Sequence, residues 1–184
     1  MNKTIRFYLS LICSGLLLSA PLSAQENDDA DLGDFIEAPK WQEGDIVIPP
    51  FPNRDDLVKV EVDRVDMPFT FSIDPGSLSV NKDGVSRYTV VIESSSGASN
   101  IMYEGIRCVT NEYQTYAYGT HDGGFSKARS SSWTKITSSG AMAHRYNLRR
   151  YYLCNDFDQP FSASESLQRI RNPEDFSMGG ARSD

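Results

Sequence analysis

An α+β architecture, a single domain of mainly antiparallel β-sheet with one or two C-terminal helices, follows from three features of the chain. Short segments alternate apolar and polar residues, turn chemistry separates them, and the period becomes helical only after residue 140. Clean alternation means half-buried strands, which an antiparallel sheet with one wet face accommodates.

The first residues are set aside from that fold. "MNKTIRFYLSLICSGLLLSAPLSAQ" has a basic start (Lys3, Arg6), an apolar run from Phe7 to Leu18 and then small residues, which is the pattern of a secretory signal peptide, residues 1–24. The expected cut follows Ala24, because cutting after Ala20 would put Pro21 directly behind the scissile bond. Cys13 is not read as a lipid anchor: Ile12 precedes it where a small residue is wanted, and the apolar run continues past it. No other apolar segment approaches the roughly 18 residues needed to span a bilayer. The processed chain is therefore expected in a periplasmic or secreted, oxidising space.

Processing leaves 16 basic against 25 acidic residues, a net charge of −9. It also leaves two cysteines, Cys108 and Cys154. In an oxidising compartment two cysteines most often pair with each other. A zinc site would need both of them with His121 and His144, every Cys and His remaining, and a catalytic thiol would need an adjacent base and a reason to stay reduced. Neither metal nor cofactor is expected.

Residues 25–40 are acidic, poor in β-branched residues and closed by a proline, and read as a disordered leader. Trp41 and "IVIPPFP" follow, an extended segment whose prolines withhold amide donors; it is expected to lay Trp41, Ile46, Ile48 and Phe51 on the domain as a satellite cluster. In "LVKVEVDRV", residues 57–65, Val58, Val60 and Val62 share a face, and "FTFSI" does the same with Phe69, Phe71 and Ile73. "DPGS" and "NKDGV" read as turns, with Gly76 and Gly84 available for positive φ. "SRYTVVIES", "IMYEGIRCV" and "EYQTYAYG" are the next strands, separated by turns, and "SSWTKI" is a short edge strand with Trp133 over core.

Helical spacing of Ala141, Arg145, Leu148 and Tyr152 marks a helix ending at Cys154, so a Cys108–Cys154 bridge would pin it to the sheet. A second helix starts at Ser162, with Glu165 at the capping-box position, and ends before Pro173. The domain thus occupies residues 41–172, and residues 173–184 form a flexible tail.

One set of residues points to a family. "SIDPGSLSVNKDGVSRYTVVIESSSGASN", then "YEGIRC", Asp122-Gly123, Trp133 and "YYLC" come in an order that resembles the CNP1-like family, named for a cryptic neisserial protein. The resemblance spans most of Trp41 to Cys154. It implies an exported proteobacterial envelope protein and brings no established catalytic residues to carry over. His121 lies outside the shared pattern.

Charge is the remaining signal. Residues 25–66 hold 13 acids against 4 bases, whereas residues 107–150 hold seven bases against two acids. The basic stretch, interleaved with tyrosines, marks Arg107, Tyr113, Tyr116, Tyr118, Arg145, Arg149 and Arg150 as candidate binding residues for an anionic envelope component or an envelope protein. The acidic leader is a possible intramolecular competitor for that face. Nucleic acid is disfavoured by the acidic total and the exported address.

The expected function is a non-catalytic binding or envelope-accessory protein. The alternative is a hydrolytic enzyme acting on an envelope component, with His121, Asp122, Glu104 or His144 as acid/base group. Alternation places Glu104 on the Cys108 side of its strand and Arg107 on the other, and a buried Glu104 needs a basic partner from a neighbouring element.

Overall fold

The computed structural model describes residues 40–63, 68–140 and 143–176. The expected signal peptide, the expected leader up to residue 39, Arg64 and Val65 of the first expected strand, Ala141 of the first expected helix and the expected tail from residue 177 on lie outside the described residues.

Among the described residues seven antiparallel strands form one sheet: β1 (Val58–Val60), β2 (Phe69–Val80), β3 (Val85–Ser94), β4 (Ser99–Arg107), β5 (Glu112–Gly119), β6 (Phe125–Lys127) and β7 (Thr134–Lys135). Their order is β1-β2-β3-β4-β5-β6, with β7 sharing the outer edge of β5. From β2 to β6 each strand therefore neighbours the one before it, as the short turns require, and β7 skips back past β6 to β5. Gly84 and Gly97 supply positive φ, 75° and 85°, in the turns on either side of β3.

Two expectations about these strands change. "DPGS" does not separate two strands but bulges out of one. Asp74 pairs with Thr89 and Ser79 with Arg87, and the Asp74 carboxylate accepts from the Gly76 amide at 3.0 Å while the Ser77 hydroxyl donates to the Asp74 carbonyl. Gly76 consequently needs no positive φ. Pro75, which has no amide proton to give a ladder, falls within the bulge. The second change is that the sheet has no wet face at its centre: β3 is buried continuously from Val85 to Val91.

One face carries the main core, in which Phe71, Ile73, Tyr88, Val90, Met102 and Ile106 meet Leu148, Tyr152, Leu153 and Ile170 from the helices. The first helix begins as α1 (Ala143–Asn147) and continues as a π-helical segment, Leu148–Leu153, closed by the Cys154 amide donating to the Arg149 carbonyl. The wider turn brings Leu148 and Leu153, five apart, toward one side, and both are buried. Asn147 accepts from the Asp63 amide at 2.9 Å, and the Tyr152 hydroxyl donates to the Glu61 carbonyl at 3.0 Å, tying the chain after β1 to this helix.

The second helix, α2 (Ala163–Arg171), starts where expected, with the Ser162 hydroxyl accepting from the Glu165 amide. Cys108, just past β4, is bonded to Cys154 with 5.7 Å between their Cα atoms, which fastens the helical layer to the sheet.

Candidate functional site

The opposite face is covered by the chain's own residues 40–52, an extended strap. Its two successive prolines fit it poorly for a ladder. Trp41 Nε1 donates to the Asp83 carbonyl at 2.8 Å and the Gly44 amide to Asp83 Oδ2 at 2.9 Å. Further along, Ile46 and Ile48 pack on Tyr103, Tyr116 and Ala117, and the Phe51 and Phe125 rings are 5.4 Å apart. The satellite cluster expected for this segment is thus the cover of the second face.

Beneath the strap lies Arg87, only 1% exposed. It grips Asp83 with both terminal nitrogens, at 2.6 and 3.2 Å, and reaches Glu43 with Nη2 at 3.2 Å. The Tyr116 hydroxyl donates to the same Glu43 oxygen at 2.5 Å. Tyr116 gets there because β5 bulges: Ala117 pairs with Tyr103 and Thr115 with Glu104, leaving Tyr116 unpaired and turned to the strap. Gly105 leaves the hollow it crosses, since a Cβ there would lie 2.5 Å from the Tyr116 hydroxyl oxygen.

Burial raises the Asp83 carboxyl pKa, but Arg87 and the Gly44 and Val85 amides more than offset that and hold it below the usual carboxylate range. Burial likewise opposes the Arg87 charge, and Asp83 with Tyr116 overcomes it, so its pKa rises. The Tyr116 phenol is pushed well up by burial and then by Glu43.

Alongside is a half-exposed cluster. The Arg107 guanidinium lies 3.8 Å over the Trp41 ring, and Trp41 meets Trp133 edge-on at 5.9 Å. Register places Glu112 opposite Arg107 and Lys135 opposite Glu112, with Lys135 Nζ 3.6 Å from the Glu112 carboxylate. Lys127 and Arg129 are exposed along the same sheet edge. The result is a basic–aromatic rim.

The other sequence candidates are dispersed. Arg145 is buried on the main-core side, in bidentate contact with Glu104, and its guanidinium lies 4.0 Å over the Tyr113 ring. It is therefore no surface contact. Tyr116 is also buried. Tyr118 is exposed, but opposite Met102, on the face away from Tyr116. Arg149 bonds the Cys108 carbonyl and Asp158, and with exposed Arg150 lines a small cleft of about 90 Å³ next to Cys154. Simple alternation along a strand would place Tyr116 and Tyr118 on one face; the bulge separates them.

The acid/base candidates do not converge. Glu104 is fully buried and its oxygens also accept from Thr115 at 2.9 Å and Tyr88 at 3.4 Å. His144 is buried with its ring stacked on Phe71 at 5.1 Å. His121 and Asp122 are exposed on the β5–β6 turn, where the Thr120 hydroxyl holds the Asp122 carboxyl below its ordinary pKa. Among the described residues no three Cys, His, Asp or Glu side chains lie together as metal ligands. Sequence reading missed Glu43, Asp83, Arg87 and Trp133 as site residues; the only local signal was Asp83 four residues before Arg87 across a tight turn.

Fold and site together define a disulfide-linked α+β domain with one sheet face under helices and the other under an ion-paired strap. A family model for the CNP1-like family matches residues 36–171, and the chain belongs to that family. No curated protein and no solved structure matches it significantly. Among the described residues no helix is long and apolar enough to cross a membrane.

Proposed function

We propose that this CNP1-like protein is an exported, periplasmic, non-catalytic binding or envelope-accessory protein that meets an anionic envelope component through the rim of Arg107, Trp41, Trp133, Lys127, Arg129 and Lys135. One observation carries the reading: Arg107 stacks on Trp41, and Lys127, Arg129 and Lys135 are exposed along the β5 edge, an arrangement suited to carboxylate or phosphate groups, while Glu104 and His144 are buried in the core. The Cys108–Cys154 bond supports the exported address, because disulfides persist in oxidising compartments.

The test is co-sedimentation of the purified protein with phosphatidylglycerol vesicles, phosphatidylcholine vesicles and peptidoglycan sacculi, at low and high salt. Retention on an anionic surface should fall with salt and should be lost when Lys127, Arg129 and Lys135 are all replaced by Glu. Retention that ignores both manipulations would sink the reading. Recovery of the native protein from the cytoplasm, with its N-terminus intact, would sink the exported address.

A further inference from the structure

Arg87 holds two carboxylates on unequal terms. Asp83 occupies both terminal nitrogens and is fixed in addition by the Gly44 and Val85 amides. Glu43 makes one longer contact with Arg87, at 3.2 Å, and its shorter one, 2.5 Å, is with the Tyr116 hydroxyl. Asp83 alone neutralises Arg87, so lifting Glu43 away leaves no buried charge unpaired. Arg87 Nε has no hydrogen-bond partner among the described residues, so the guanidinium keeps donor capacity unused. Glu43 itself is the solvent-facing member, 21% exposed against 1% for Arg87.

Among the described residues no backbone–backbone hydrogen bond joins residues 40–52 to the sheet. The strap is held by the Trp41 indole, the Glu43 carboxylate, the Gly44 amide and apolar contacts. Such a segment can leave without breaking a ladder.

We propose that Arg87 and Tyr116 form a carboxylate-recognition site that Glu43 plugs in the resting chain, and that an extended acidic peptide of a partner protein enters by displacing the strap. The strap shows the chemistry such a partner must offer: an aromatic residue two positions before a glutamate, as in Trp41-Gln42-Glu43-Gly44, with apolar residues following. Trp41 supplies the aromatic anchor against Arg107 and Trp133, Glu43 the charge, and Ile46 and Ile48 the apolar tread over Tyr103. This site shares Arg107 and Trp133 with the rim but not Lys127, Arg129 and Lys135, so replacing those three tests the rim alone and replacing Glu43 tests this site alone.

The test uses the full chain and a fluorescent peptide of residues 40–52. Glu43→Gln removes the plug's charge while keeping its shape. Glu43→Gln protein should bind the peptide about tenfold more tightly than the wild type, and a peptide whose own glutamate is replaced by Gln should lose about tenfold, the range of one charge-assisted hydrogen bond. Adding Tyr116→Phe should abolish that preference. As an independent measurement, acetate should raise the melting temperature of the Glu43→Ala protein saturably and more than chloride does. Equal binding of the two peptides to Glu43→Gln protein overturns the peptide assignment even if acetate stabilises; no difference between acetate and chloride overturns the carboxylate site.

Discussion

Arg145 places Nη2 2.5 Å from one oxygen of Glu104 and Nε 3.0 Å from the other, between the helical layer and the sheet. The carboxylate is fully buried and the guanidinium nearly so, which makes the pair a lock between layers. Replacing Glu104 by Gln should destabilise the fold by about 3–5 kcal/mol, because Arg145 is left buried and uncompensated. Removing both charges, as Glu104→Leu with Arg145→Met, should recover most of that loss. Urea unfolding of the wild type and these two variants checks it, and a loss under about 1 kcal/mol in Glu104→Gln would contradict a buried ion pair.

The Cys108–Cys154 bond closes a loop with a sequence separation of 46. In the chain-entropy model its loss costs about 4 kcal/mol. Unfolding of the Cys108→Ala, Cys154→Ala protein against the oxidised wild type measures this. Two free thiols titrated in protein taken from an oxidising compartment would refute the pairing.

Gly105→Ala tests how Tyr116 is seated. The new methyl would lie 2.5 Å from the Tyr116 hydroxyl oxygen and 2.9 Å from Val85 Cγ1, so the ring must move off Glu43. Overpacking of this kind costs about 1–3 kcal/mol. Faster amide exchange of Gly44 and Val85 than in the wild type should accompany it; unchanged exchange would show that Tyr116 does not hold the strap.

Acid should loosen the strap before it unfolds the core. Asp83 has a folded pKa below its unfolded value, so its contribution is complete above the ordinary carboxylate range, near 3.8, and is lost as pH falls through the lower folded value. Trp41, bonded to the Asp83 carbonyl, should report this as a fluorescence change in that window. In Asp83→Asn the change should no longer track acid pH.

At the alkaline end the Tyr152 phenol titrates late. Burial first, then Glu61 and Tyr151, pushes its pKa up to about 12. Its contribution is therefore complete below about pH 10 and lost as pH rises through about 12. Tyr152→Phe should flatten that part of the alkaline limb, followed by the melting temperature.

Much of the fold was legible because strands and caps are local. "EYQTYAYG" is β5 residue for residue, and the Ser162 cap stands where Ser and Glu165 signal it. β6 was missed because three residues between a glycine turn and a serine-rich loop carry no periodicity of their own. "DPGS" does contain turn chemistry, yet the ladder resumes at Ser79, so the turn became a bulge. The π-helical turn was invisible for the opposite reason: residues 141–154 fit an α-helical spacing well enough to hide a wider one.

Of the candidate contact residues, Arg107 proved half-exposed beside two tryptophans, whereas Arg145 and Tyr116 turned inward. The physical reason is distance along the chain. Cysteine pairing, strand periodicity, glycine turns and a helix cap depend on composition or on neighbours a few residues away, and the sequence determines them by itself. Whether an arginine faces water or a carboxylate depends on partners such as Glu104, 41 residues before Arg145, and Glu43, 44 before Arg87. Only the tertiary structure, by laying strap and helix on opposite faces of one sheet, decided which charges are buried and which remain free to meet a partner.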